Sequence, residues 1–251
     1  MNINNIDVTF LDKIANITFF NPKSNSFTSK MLEELSHLLY QLSKNEAINV
    51  IVLKSYGEKA FCAGASFDEL LQIKTASDAE MFFSGFANVI LAMKNCKIPI
   101  ITRVQGNAVG GGVGIIAASD YAFASSNVAV KLSELSLGFG PFVIEPAVSR
   151  KIGTIETQNL TYNPSIWQNS NWALQNNLFQ EVFENIELMD EKIVEFSSKL
   201  SNYSREAIIA LKEIFWKDTQ HWDTLLFERA KISGNLALSE FTKQKLKEFI
   251  K

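Results

Sequence analysis

The hydrophobic positions of the chain switch repeatedly between two periods. Val8 to Asp12 (VTFLD) and Ile14 to Phe20 (IANITFF) are rich in β-branched and aromatic residues, and a short turn at Asp12-Lys13 separates them, so both read as strands. Asn21-Pro22 breaks the second. From 28 to 43 the apolar residues Met31, Leu32, Leu35, Leu38, Leu39 and Leu42 recur at helical spacing behind Thr28 or Ser29 as N-cap. Residues 49–55 (NVIVLKS) form a continuous apolar run of the kind expected for a strand buried on both faces. Residues 77–94 read as a helix ending before Pro99, and 98–106 (IPIITRVQG) as another buried strand running into a glycine-rich turn and an apolar helix. This succession predicts an α/β region with mostly parallel strands over residues 1–155. Beyond it strand signals thin out and helices dominate, near 187–201, 204–217 and 221–250, with all four tryptophans in this part. No proline-, glycine- or serine-rich linker separates it, so 156–251 reads as a helical region of the same unit.

At 251 residues, 47% hydrophobic and 20% charged, the chain has ample material for one packed core. Its net charge of −3 argues against a nucleic-acid or anionic-membrane partner. No apolar run approaches the roughly 18 residues needed for a spanning helix. The start, MNINNIDVTF, lacks the basic and apolar regions of a secretory signal, and a cytoplasmic location is expected. Cys62 and Cys96 are too few for a disulfide framework or a zinc site. His37 lies within a helical pattern and His221 near a helix start, which leaves little scope for a Ser-His-Asp hydrolase.

Three segments carry candidate chemistry. Cys62-Ala63-Gly64-Ala65-Ser66 follows a strand and precedes a short helical run; its small residues let another group approach the backbone, or simply pack. Gly110, Gly111, Gly112 and Gly114 stand between a strand and a helix, where exposed N–H groups meet a positive helix end. The third runs from Ala129 to Pro141, with Glu134 between Leu132, Leu135 and Leu137. Such flanks would raise a carboxyl pKa by desolvation, as a general acid or base near neutrality requires, although an exposed glutamate between buried neighbours fits equally. Glu145, beside Pro146 at a helix start, has interaction with the helix dipole as its default explanation. A rival reading takes Gly112-Val-Gly114-Ile-Ile-Ala117 as a dinucleotide fingerprint with Glu134 about 20 residues on, which would make the protein a nicotinamide-dependent oxidoreductase. Its mid-chain position and the scarcity of later strands tell against it.

Taken together and in order, AFCAGASFDEL, VQGNAVGGGVGIIAASDYAFA and LSELSLGFGPFVI, with NPKSNSFTSKMLEEL before them and RKIG after, resemble the enoyl-CoA hydratase/isomerase (crotonase) family over about residues 7–153. The resemblance implies a spiral of repeated ββα units with a C-terminal helical region used in assembly, as a homotrimer or a hexamer built as a dimer of trimers. It implies an acyl-CoA thioester as substrate, with coenzyme A part of that substrate and no separate cofactor. It places two oxyanion-hole donors on the N–H groups of Ala65 and Gly111, and proton transfer on Glu134. It places contacts to the coenzyme on Asn25, Ala63, Gly64, Ser66, Phe67 and Asp68, with Gly110 and Gly112 beside the hole.

The sequence departs from the family's best-known hydratases at Gly114, where they carry a second glutamate. Two carboxylates suit the addition of water, whereas one suffices to move a double bond. Hydration is the expectation, with Glu145 as candidate substitute acid, and Δ3,Δ2-enoyl-CoA isomerisation or non-catalytic acyl-CoA binding the alternatives. GGGVG combined with LSELSLGFGPFVI and RKIG is also similar to a bacterial subgroup assigned as methylglutaconyl-CoA hydratases, which would link the chain to leucine breakdown. Phe27, Phe67, Phe82, Phe83, Phe86, Phe139 and Phe142 could line an acyl pocket or fill the core.

Overall fold

The computed structural model describes residues 5–249. The first strands, β1 (Ile6–Leu11) and β2 (Ile14–Phe19), form an antiparallel hairpin. It is followed by α1 (Ser29–Lys44), whose first turn is closed by Thr28 Oγ1 accepting from the Met31 N–H at 3.2 Å. The chain then repeats a unit of two strands and a helix. β3 (Val50–Ser55) and β4 (Ala60–Cys62) lead to α2 (Phe67–Gln72) and α3 (Ala76–Asn95). β5 (Ile100–Val104) and β6 (Asn107–Val109) lead to α4 (Gly111–Ala118), and β7 (Tyr121–Ser125) and β8 (Ala129–Lys131) to α5 (Glu134–Leu137). The fold class expected from the sequence and the resemblance is the one observed.

The first strand of each unit joins one sheet and the second joins another. The larger sheet runs β1-β2-β3-β5-β7-β10, where β10 is Glu181–Phe183, and the smaller β4-β6-β8-β9, where β9 is Gln168–Asn169. From β2 through β10 the larger sheet is parallel, and so are β4, β6 and β8 in the smaller. The core is dominated by α1, α3 and α4 against both sheets. Phe19, Phe27 and Phe61 are fully buried there, with ring centroids of Phe19 lying 4.6 Å from Phe27 and 5.4 Å from Phe61. Phe27 thus belongs to the core and lines no pocket of the site. Every residue of α4 is buried; a sequence as poor in helix formers as GGVGIIAA is held helical by its surroundings rather than by propensity.

The C-terminal region contains α6 (Glu145–Ile152), α7 (Thr154–Tyr162), α8 (Ser170–Gln175), α9 (Ile186–Ser201), α10 (Arg205–Phe215), α11 (Trp222–Ala237) and α12 (Glu240–Phe249). The last two replace the single helix expected over 221–250. The chain breaks at Leu238-Ser239, where Ser239 Oγ accepts from the Thr242 N–H at 3.2 Å and starts a new helix. This region also contributes strands β9 (Gln168–Asn169) and β10 (Glu181–Phe183) to the edges of the two sheets, both too short to leave a periodic trace.

A charged clasp ties the region to the first half. Asp120 accepts from Lys212 Nζ at 2.7 Å, from Trp216 Nε1 at 3.1 Å and from the Ile100 N–H at 2.8 Å. Lys212 also donates to the Ile98 carbonyl, so its buried ammonium is well satisfied. No helix among the described residues is long and apolar enough to cross a membrane.

Candidate active site

All three segments singled out above leave the C-terminal ends of adjacent parallel strands of the smaller sheet. Ala63 follows β4, Gly110 follows β6, and Leu132 follows β8. Loops at this end of parallel strands converge on one crevice. Here the crevice is a cavity of about 770 Å3, and Ala63, Gly64, Ala65, Gly110, Gly111 and Glu134 all face it.

The first two turns touch. A Cβ added at Gly64 would stand 3.1 Å from the Val109 carbonyl oxygen and 3.4 Å from the Gly111 nitrogen, and Gly64 has φ of +88°. Only glycine fits both the approach and the backbone. Just beyond it, Phe27 donates its N–H to the Gly64 carbonyl (2.8 Å) and accepts from the Ser66 N–H (2.7 Å). That parallel bridge engages the residues on either side of Ala65 and turns the Ala65 N–H away from Phe27. Gly111 opens α4, so its N–H has no intrahelical acceptor. Neither N–H donates to another group of the described residues.

Glu134 closes the same corner. A Cβ at Gly110 would lie 2.6 Å from Glu134 Oε1, so the carboxyl rests against the glycine turn. Its other oxygen, Oε2, is buried and has no hydrogen-bond partner. Burial pushes the carboxyl up to about 7, although the N–H groups of Glu134 and Ser133 act in the opposite direction. The desolvation expected from the leucine flanks is present, but its source differs. Leu132 is buried and Leu137 lines the cavity, whereas Leu135 is 43% exposed and shields nothing. The apolar wall is built mainly from α3 and the turn after α5: Phe82, Phe83, Phe86, Phe139 and Phe142, with Phe67 from α2.

The position expected to carry a second carboxylate is closed. A Cβ at Gly114 would sit 2.5 Å from Ile144 Cγ2 and 2.7 Å from Ile144 Cβ, and Ile144 itself lines the cavity. A β-branched hydrocarbon thus occupies the space beside Gly114. Gly112 is packed against Cys62, whose carbonyl oxygen would be 2.7 Å from an added Cβ. With both glycines covered by protein, Gly112 to Ala117 offers no cradle for a dinucleotide pyrophosphate. Cys62 is buried, which pushes its thiol up to about 12 and leaves it unreactive.

Other expected residues fall elsewhere. Glu145 Oε1 accepts from Ser149 Oγ at 2.7 Å and Oε2 lies 3.8 Å from Arg229, and Glu145 is not among the residues lining the cavity. Asn25 adopts φ of +54° and donates from Nδ2 to the carbonyls of Tyr56 (3.0 Å) and Ala60 (2.8 Å), which commits its amide to the backbone. It borders a second cavity of about 810 Å3, beside Lys54, Tyr56 and Arg103. Ser66 caps α2 through its hydroxyl, and Asp68 pairs with Lys23 on the surface.

The cavity also holds residues the sequence did not single out. Lys131, the last residue of β8, faces it with Ser133, Ser136 and Trp167. Alternation along an apolar strand, with Val130 turned inward, was the available signal.

Fold and site together define an α/β spiral whose buried carboxyl and free backbone donors share one apolar cavity. The family model for enoyl-CoA hydratase/isomerase matches residues 9–248, and the chain belongs to that family. It is accordingly an enzyme of the hydratase or isomerase kind. It is 27% identical to the short-chain-enoyl-CoA hydratase of Clostridium acetobutylicum, over all of this chain and 96% of that protein. It is 29% identical to the bacillaene synthase dehydratase of Bacillus subtilis over 67% of this chain and 66% of that one. The crystal structure of an enoyl-CoA hydratase from Bacillus halodurans superposes with a TM-score of 0.91, covering 98% of this chain and 100% of that one at 19% identity.

Proposed function

We propose that the enzyme adds water to a 2-enoyl-CoA thioester, with Glu134 as its single proton-transfer group. The observation that carries this is the Glu134 carboxyl, buried with an unpartnered oxygen against the Gly110–Gly111 turn of an apolar cavity. The thioester oxygen is received by the N–H groups of Ala65 and Gly111, which draw electron density from the conjugated double bond. Ionised Glu134 takes a proton from water as the water oxygen bonds to the β-carbon. The electron pair of the double bond moves toward the thioester, forming an enolate that the two donors stabilise. Glu134 then returns the proton to the α-carbon, and the carboxylate is restored. Relatives named as a hydratase and a dehydratase suit this chemistry in its two directions.

Double-bond migration is the second reading, and the closed space at Gly114 favours it. With Ile144 where a second carboxylate would stand, Glu134 could take a proton from C2 of a 3-enoyl thioester and deliver it to C4. A panel of 2-enoyl-, 3-enoyl- and 3-methylglutaconyl-CoA, followed by mass for added water and by the ultraviolet absorbance of the conjugated thioester for a shifted double bond, separates the two. Gain of one water on 2-enoyl substrates is expected; a shifted double bond without mass change, and no hydration, would overturn the first reading.

The pH profile tests the protonation state. Because the ionised carboxyl starts the cycle, kcat/KM should rise with pH and level off above about 7, the value to which burial lifts Glu134. A profile that falls through that range would assign the opening step to the protonated acid.

A further inference from the structure

We propose that Lys131 makes this enzyme selective for thioesters whose acyl group carries a carboxylate, a specificity that rests on the acyl-CoA reading above. Lys131 is the cation set into the wall of an otherwise largely apolar cavity. Its place follows from the sheet. β8 and β9 pair antiparallel with Ala129 opposite Asn169 and Val130 opposite Gln168, so the next step sets Lys131 opposite Trp167. The ammonium lies over the Trp167 ring, 4.5 Å from its centroid. Such a contact holds the charged head in place without neutralising it.

The charge is otherwise unanswered. Among the described residues no carboxylate lies within salt-bridge distance of Lys131. Among the described residues no ion pair joins it to Glu134. Its backbone carbonyl nevertheless accepts from the Gly110 N–H at 3.0 Å, which ties the residue to the turn that receives the thioester. Ser133 lines the cavity with it and offers a further donor, while the Ser136 hydroxyl is already committed to the Ser133 carbonyl at 2.6 Å. An aliphatic acyl chain has no use for these groups, whereas a carboxylate on that chain would meet a fixed cation and a hydroxyl donor.

The coenzyme's own phosphates are the other source of negative charge, and a binding experiment tells the two apart without any turnover. Affinities of glutaryl-CoA, valeryl-CoA and free CoA are measured by calorimetry for the wild type, Lys131→Met and Trp167→Leu. The wild type should prefer glutaryl- over valeryl-CoA by about ten- to a hundredfold. Lys131→Met should bring that ratio close to one, Trp167→Leu should lower it, and free CoA should bind all three proteins alike. Equal affinity of the wild type for the two acyl-CoAs overturns the proposal. Loss of free-CoA affinity in Lys131→Met does so too, since the ammonium would then hold a phosphate. Because saturated thioesters are used, hydration could fail while this selectivity stands.

Discussion

Replacing Glu134 by Gln should lower kcat by about 10³-fold while leaving acyl-CoA affinity within a few fold. The amide keeps the shape of the side chain against Gly110 but cannot accept and return a proton. Solvent-deuterium exchange at the α-carbon of a saturated acyl-CoA gives an independent readout and should stop with turnover. Turnover within tenfold of wild type would remove Glu134 from the mechanism. The same variant should melt higher than wild type at pH 8. Glu134 has a folded pKa near 7, above its ordinary 4.5, so the folded state favours the protonated form. That contribution is full at pH values below about 4.5 and is lost as pH rises through 7. Wild type therefore weakens across this window and the glutamine variant does not, so the gap in melting temperature should open between pH 4.5 and 7.

Gly110→Ala should be nearly as damaging to activity through a different route. Gly110 has φ of +53° and ψ of −118°, a conformation open essentially to glycine, and the new methyl would meet Glu134 Oε1 at 2.6 Å. The carboxyl must swing away, and the turn presenting the Gly111 N–H must shift with it. A fall in kcat of about 10²–10³-fold is expected, with a loss of about 1–3 kcal/mol in unfolding free energy. Combined with Glu134→Gln, the rate should drop little further, because both changes disable the same step. Activity within twofold of wild type in Gly110→Ala would show that carboxyl and turn need not touch.

How much of this was legible in the sequence follows from what each element needs to form. The long strands β2, β3 and β5 and the helices α1, α3 and α9 bury wide apolar faces, and their periods announce them. The three-residue strands β4, β6 and β8 are too short for a period, yet they aim the site; the small residues just beyond them, Ala63 to Ala65 and Gly110 to Gly112, were the visible trace. Glu134 stood out by its leucine neighbours, although Leu135 points to solvent and aromatic side chains from α3 supply much of the apolar wall. Nearness along the chain points to Glu145, but a helical turn faces it toward Ser149 and Arg229. Lys131 carries no such signal, because a lone lysine on a strand ordinarily faces water. Its partner Trp167 lies 36 positions away, and only the β8–β9 register joins them.

The packing of Ile144 over Gly114 bears on how such an enzyme can change over generations. A side chain at 114 needs Ile144 to retreat, and even valine would keep the branch carbons that block it. Glutamate at 114 alone would be forced into a filled core, while trimming Ile144 to Ala first would leave a void costing about 2–5 kcal/mol. Each single step is disfavoured, and even alanine at 144 keeps a Cβ 2.7 Å from the new one, so a second carboxylate also needs the backbone there to yield. A lineage that has entered this arrangement is held on one side of a valley, and its chemistry diversifies around a solitary carboxylate.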